Sequence, residues 1–191
     1  MLTVETLLKW MQAYTQTIDE NKEMLSQLDT EIGDGDHGNN MARGMAAVSE
    51  GLATPPADLT AGLKSIAMSL ISKVGGASGP LYGTAFLEMA KASANTTDLA
   101  TLIQAASDGI AKRGGAAVGD KTMLDVWVPV AAALKQGQLT QQVIDDAVEA
   151  TKPMQATKGR ASYLGDRSIG HLDPGAVSSG ELFTTLLAVT K

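Results

Sequence analysis

Apolar residues recur every three or four positions along most of this chain, and they almost never alternate. Such spacing is the signature of helices that bury one face, and it leaves little room for a sheet. Val4, Leu7, Leu8, Met11, Thr15 and Ile18 follow it behind Thr3, a natural N-cap. A second helix is expected from about Asn40, through Met41, Met45, Val48 and Leu52, ending near Gly51 and Pro55-Pro56. Asp58 can cap a third, carrying Leu59, Leu63, Ile66 and Leu70 towards Gly75. The fourth begins at Gly79-Pro80 and the fifth at Thr97-Asp98, with Leu99, Leu102, Ile103, Ala106 and Ile110 on one face. A sixth covers about 121–136, where Pro129 should kink it or shift its start. Thr140 opens a seventh, and Ser178 or Ser179 the last. Val126-Trp127-Val128 alternates briefly, but Pro129 undercuts a strand there. The expectation is an all-α bundle of eight helices, up and down.

Residues 152–177 interrupt the pattern with Gly, Ser, Lys, Arg and Asp. A connection that long in a compact domain is usually functional. Tyr163, Leu164, Ile169 and Leu172 within it argue for an ordered segment that covers a site.

Composition removes several classes of function. With 191 residues and 44% hydrophobic content, the chain can bury one good core and is short for two. A net charge of −6 and 4% aromatic content argue against nucleic-acid binding, which wants basic patches and stacking rings. The absence of cysteine excludes disulfides, zinc-thiolate sites and thiol nucleophiles. No stretch approaches the roughly 20 apolar residues of a membrane span, and Met1–Thr6 shows no signal peptide, so no membrane association and a cytoplasmic location are expected.

Chemistry concentrates in Asp29-Thr30-Glu31-Ile32-Gly33-Asp34-Gly35-Asp36-His37-Gly38-Asn39-Asn40. Carboxylates crowded this closely repel one another unless a cation lies among them, and hard divalent ions such as Mg²⁺ prefer such oxygens. The alternative, a solvated acidic loop, is weaker because glycines interleave the acids. An EF-hand fails: a loop starting at Asp34 puts Asn39 where the sharp-turn glycine belongs and Met45 where the closing Glu should be. Gly33-x-Gly35-x-x-Gly38 formally matches a dinucleotide fingerprint, but no strand precedes it.

Three glycine-rich stretches precede helices: Gly33–Gly38, Gly75–Gly79 and Gly114–Gly119. Glycine lets backbone wrap a ligand, and helix starts offer unpaired N–H groups, so together they can cradle phosphate. Any one of them alone would be an ordinary turn; on alternate connections of a bundle, all three open at one end. Gly114–Gly119 followed by Asp120-Lys121-Thr122 almost spells a P-loop, yet Asp120 displaces the lysine by one position and the preceding strand is missing. Lys158, Arg160 and Arg167 in the long segment can supply cations, Arg160 with the fork that suits phosphate. His37 could donate to a phosphate or orient a carboxylate, and Met123 could flank an adenine.

The stretch 32–40, Gly76-Ala77-Ser78-Gly79-Pro80-Leu81-Tyr82-Gly83, Gly119-Asp120-Lys121-Thr122-Met123-Leu124-Asp125, 156–165 and Asp173-Pro174-Gly175-Ala176 together resemble the nucleotide-binding domain of the dihydroxyacetone kinases. The resemblance spans essentially the whole chain, in order. It implies one nucleotide-binding domain over residues 1–191, folded as an eight-helix antiparallel barrel with nucleotide and Mg²⁺ at one end. Because nothing here could hold the triose, the chain is similar to the separate ADP-binding subunits of the phosphotransferase-system-dependent members. That implies ADP retained as a coenzyme, a phosphohistidine-carrying subunit that converts it to ATP, and a dihydroxyacetone-binding subunit that receives the phosphoryl group. A homodimer is the expected assembly.

By the same resemblance, Asp29, Asp34 and Asp36 correspond to carboxylates holding two Mg²⁺ ions, whereas Glu31 is a solvated charge. His37, Gly38, Asn39, Asn40, Ser78, Gly79, Gly115, Met123, Arg160, Asp173, Pro174 and Gly175 correspond to the nucleotide site. No side chain is assigned as acid, base or nucleophile. The competing readings are a self-sufficient ATP-dependent small-molecule kinase, a Mg-nucleotide-binding module reporting to a transcription regulator, and plain metal storage.

Overall fold

Thr3 caps the first helix through its hydroxyl, which accepts from the Thr6 amide, and Asp58, Asp98, Thr140 and Asp173 cap four others in the same way. The structure, a computed structural model, describes residues 1–190. Its elements are α1 (Val4–Ile32), α2 (His37–Gly51), α3 (Leu59–Lys73), α4 (Ser78–Ser93), α5 (Leu99–Gly114), α6 (Leu124–Lys135), α7 (Gln141–Glu149), a 3₁₀ helix (Arg160–Ser168) and α8 (Pro174–Val189). The eight expected α-helices are all present, and no strand occurs among the described residues.

Their boundaries differ from expectation in instructive places. α1 runs on to Ile32, so Asp29 and Glu31 sit in its last turn rather than in a loop. Ile18, Leu25 and Ile32 continue the buried face at heptad spacing, and the residues between are mostly good helix formers. α8 starts at Pro174 instead of Ser178 or Ser179, because Asp173 accepts from the Ala176 amide and proline suits a first helical position. α6 begins at Leu124 and keeps Pro129 inside it; the positive φ of Lys121 (60°) prevents the helix from starting earlier.

Each helix packs against its neighbours in the chain, and α8 returns to pack on α1, closing the ring. Two aromatic donors fasten that seam. Trp10 Nε1 donates to the Leu182 carbonyl (2.8 Å) and the Tyr14 hydroxyl to the Ser178 carbonyl (3.0 Å). One buried cluster draws residues from all eight helices. At its centre Trp127 meets Phe183 edge-on, with centroids 4.8 Å apart, and Trp10 meets Phe86 at 5.9 Å. No helix among the described residues is long and apolar enough to cross a membrane.

The seam also holds an acid. Glu181 accepts from Asn21 Nδ2 (2.7 Å), while its Oε2 is buried without a partner. Burial raises its carboxyl from an ordinary 4.5 to about 7. The fold therefore favours the protonated form, and its stability contribution is lost as pH rises from 4.5 through 7. Glu181→Gln should match the parent near pH 4.5 and exceed it by about 3 kcal/mol at pH 8. Urea midpoints at the two pH values test this; a difference that does not change with pH would contradict it.

Candidate functional site

Because the helices alternate in direction, the α1–α2, α3–α4, α5–α6 and α7–α8 connections all meet at one end of the ring. There they enclose a cavity of about 370 Å³. All three glycine-rich stretches contribute to it, joined by residues 158–161 and 173–175. Its apolar lining includes Ile32, Leu81, Ile110, Met123 and Leu124. Its charged lining includes Asp29, Asp34 and Asp36 together with Lys158 and Arg160.

The acidic cluster is built by backbone as much as by charge. Asp29 projects from the last turn of α1, and its Oδ2 accepts from the Asp36 amide (2.9 Å) and the His37 amide (3.2 Å). Those bonds fold the chain back sharply enough that Gly33 must be glycine, since a Cβ there would lie 2.0 Å from Asp29 Oδ1. Gly35, at φ 78°, completes the turn. Carboxylate oxygens of Asp29, Asp34 and Asp36 consequently fall within 4.8 Å of one another. Burial raises the Asp29 carboxyl above the usual range, and the two amide bonds partly offset it. Three convergent hard oxygen donors suit a divalent cation such as Mg²⁺. Asp34 also accepts from Arg160 Nη1 (2.6 Å), which draws the covering segment onto the cluster. Glu31 stays exposed outside the group, 3.9 Å from His171.

His37 lies where α2, α4 and α8 converge. Its Nε2 pairs with Ser178 Oγ (2.9 Å) and its Nδ1 with Ser78 Oγ (3.1 Å). Burial lowers its pKa from 6.5 to about 4, so the ring is neutral near pH 7. From Ser178 the chain of hydrogen bonds runs to the Tyr82 hydroxyl (2.8 Å), then Ser179 Oγ (2.8 Å), then Trp127 Nε1 (3.0 Å). A buried polar chain thus links the cavity to the aromatic core. Sequence reasoning missed it because its members come from four separate helices.

The other expected residues divide into two groups. Asn40, Ser78, Met123, Arg160, Asp173, Pro174 and Gly175 line the cavity with His37 and the three aspartates. Asp173 caps α8, and burial pushes its carboxyl up to about 7. Gly38, Asn39, Gly79 and Gly115 do not line it. Gly38 lets α2 cross α1, since a Cβ would lie 1.8 Å from the Lys22 carbonyl oxygen, and Gly79 lies equally tight against the Val74 carbonyl (2.2 Å). Gly115 is the left-handed cap of α5 at φ 57°, and Asn39 is exposed. The Arg113 side of the cavity was not anticipated; the basic last turn of α5, Lys112-Arg113, was its sequence signal.

The DAK2 domain model matches residues 31–188, and the chain belongs to that family. Among its relatives, the ADP-binding subunit DhaL of PEP-dependent dihydroxyacetone kinase 1 from Listeria innocua is 54% identical over 185 residues, 94% of this chain and 93% of that one. The corresponding subunit of the PTS-dependent dihydroxyacetone kinase from Lactococcus lactis is 50% identical, with 99% of each chain covered. The dihydroxyacetone kinase of C. freundii in complex with AMP-PNP and Mg²⁺ superposes with a TM-score of 0.74 at 25% identity. That match covers 97% of this chain but only 33% of that enzyme.

A substitution at Gly38 separates packing from ligand contact. Gly38→Ala should lower stability by about 1–3 kcal/mol through overpacking against α1. Denaturant titration with and without ligand checks this; an unchanged midpoint would show that the close approach is not required.

Proposed function

We propose that this chain is the ADP-binding subunit of a PEP-dependent dihydroxyacetone kinase, a phosphotransferase. The observation that carries the reading is the three-carboxylate cluster, paired directly with Arg160, at a cavity that apolar side chains also line. The carboxylates and cations would hold a diphosphate with its metal, and the apolar lining residues would receive a flat base. Relatives named as ADP-binding subunits of this kinase, matched over nearly their full lengths, support it.

In this reading Asp29, Asp34 and Asp36 hold two Mg²⁺ ions and the ADP is retained between turnovers. Bound there, Mg²⁺ neutralises phosphate charge, the main requirement of phosphoryl transfer. Met123 and Leu81 flank the base. Arg160, Lys158, His37, Asn40 and Ser78 face the phosphates, Asp173–Gly175 shape the remaining walls, and Gly38, Asn39, Gly79 and Gly115 set the backbone behind them. His37, neutral and held by two serines, orders these starts rather than moving a proton. Residues 1–191 act as one nucleotide-binding domain. Two partners follow: a phosphohistidine-carrying phosphotransferase subunit that supplies the phosphoryl group and a dihydroxyacetone-binding subunit that accepts it. A homodimer in the cytoplasm completes the reading.

Two experiments test it. Asp34→Asn and Asp36→Asn should each weaken ADP binding in Mg²⁺ by roughly 100-fold, about 2.7 kcal/mol, in titration calorimetry. Equal affinity for parent and variants would sink the metal assignment. Mixed with both partner subunits and phosphoenolpyruvate, the chain should support dihydroxyacetone phosphorylation, and alone with ATP it should not. Turnover by the isolated chain would instead make it a self-sufficient kinase.

A further inference from the structure

Lys121 is the one residue other than glycine with positive φ (60°) among the described residues. A lysine there bears steric strain that glycine would not, and Gly119, at φ 96°, shows glycine in use two positions earlier. The side chain must therefore do something glycine cannot. It is 1% exposed, and its ammonium donates to the carbonyls of Met154 (3.1 Å), Ser168 (2.6 Å) and His171 (2.6 Å). All three of its N–H groups are thereby engaged, and none is left for a phosphate. The three carbonyls come from both ends of the covering segment: Met154 before the 3₁₀ helix, Ser168 at its last residue and His171 after it.

Neighbouring bonds close the same unit. The Thr157 amide donates to the Asp120 carbonyl (3.2 Å), and the Thr157 hydroxyl donates to the Asp120 carboxylate. Gly170 N reaches the Lys152 carbonyl (2.8 Å), and Ala156 N reaches Ser168 Oγ (2.9 Å). The base of the segment is thus gathered around one ammonium, while its tip, from Lys158 to Tyr163, is left to face the cavity and solvent. Asp125 fixes the other side of Lys121 by accepting from the Gly119 and Thr122 amides (2.6 and 2.7 Å).

We propose that Lys121 is a positioning residue: its ammonium clasps residues 154–171 over the cavity so that Arg160 and Lys158 face the nucleotide, and this clasp slows nucleotide release. The inference rests on the function proposed above. It explains why the near-P-loop spelling carries a lysine displaced by Asp120: the pair binds the cover, one through its carboxylate and one through its ammonium.

Two variants test it. Lys121→Met keeps the bulk and removes the donors, and Lys121→Gly also relieves the backbone strain. Hydrogen exchange of the nucleotide-free protein should speed at least tenfold at amides in 154–171 in both variants, with α1 to α5 unchanged. ADP dissociation in Mg²⁺ should accelerate at least tenfold in both. Parental exchange and release in Lys121→Gly would reduce the residue to a turn and overturn the proposal. Faster exchange throughout the ring would make Lys121 part of the fold at large, and faster segment exchange with parental ADP release would show that the cover does not retain nucleotide; either overturns it. If the parent chain takes up no ADP, the proposed function fails and retention by the clasp falls with it, while the exchange data still decide whether Lys121 orders the segment.

Discussion

Closure of the ring by α1 against α8 is the constraint from which the site follows. Eight alternating helices in a closed ring must place four connections at one end, and those four form the cavity. Buried Trp and Tyr donors need partners, and on this seam they find carbonyls of α8 that a purely apolar contact would leave without them. The geometry of the seam therefore also sets where Ser178 stands, and through Ser178 where the His37 ring stands. Fold and site share that one hydrogen-bonded contact.

The electrostatics of the mouth follow a single pattern. Carboxyls of Asp29 and Asp173 are raised by burial, and neutral His37 adds no positive charge. Among the described residues only Arg160 pairs with the acidic cluster, and it does so from a segment that is itself held by Lys121. On the proposed function, a site that gathers acids on a hydrogen-bonded turn and brings cations on a cover suits a ligand carrying both metal and phosphate. The apolar lining residues would give such a ligand a face of low polarity, where charge interactions are stronger than in water.

Much of this was legible in the chain. Periodicity alone found eight helices, and Thr3, Asp58, Asp98 and Thr140 marked four starts correctly, because caps and amphipathic faces are local properties. Asp173-Pro174 carried the same signal but reads equally well as a turn, so α8 was expected four or five residues late. The acids at 29–31 suggested a loop, whereas heptad burial through Ile32 keeps them helical. What no local rule could supply is the pairing of His37 with Ser178, 141 residues away, or of Lys121 with carbonyls 33 to 50 residues on. Those depend on closure of the ring, which exists only once the whole chain has folded.

Native mass spectrometry of the intact chain, purified without added nucleotide, reaches the heart of the account. The prediction is a species heavier than the polypeptide by one ADP and two Mg²⁺ ions. A bare polypeptide that stays bare after incubation with ADP and Mg²⁺ would contradict it.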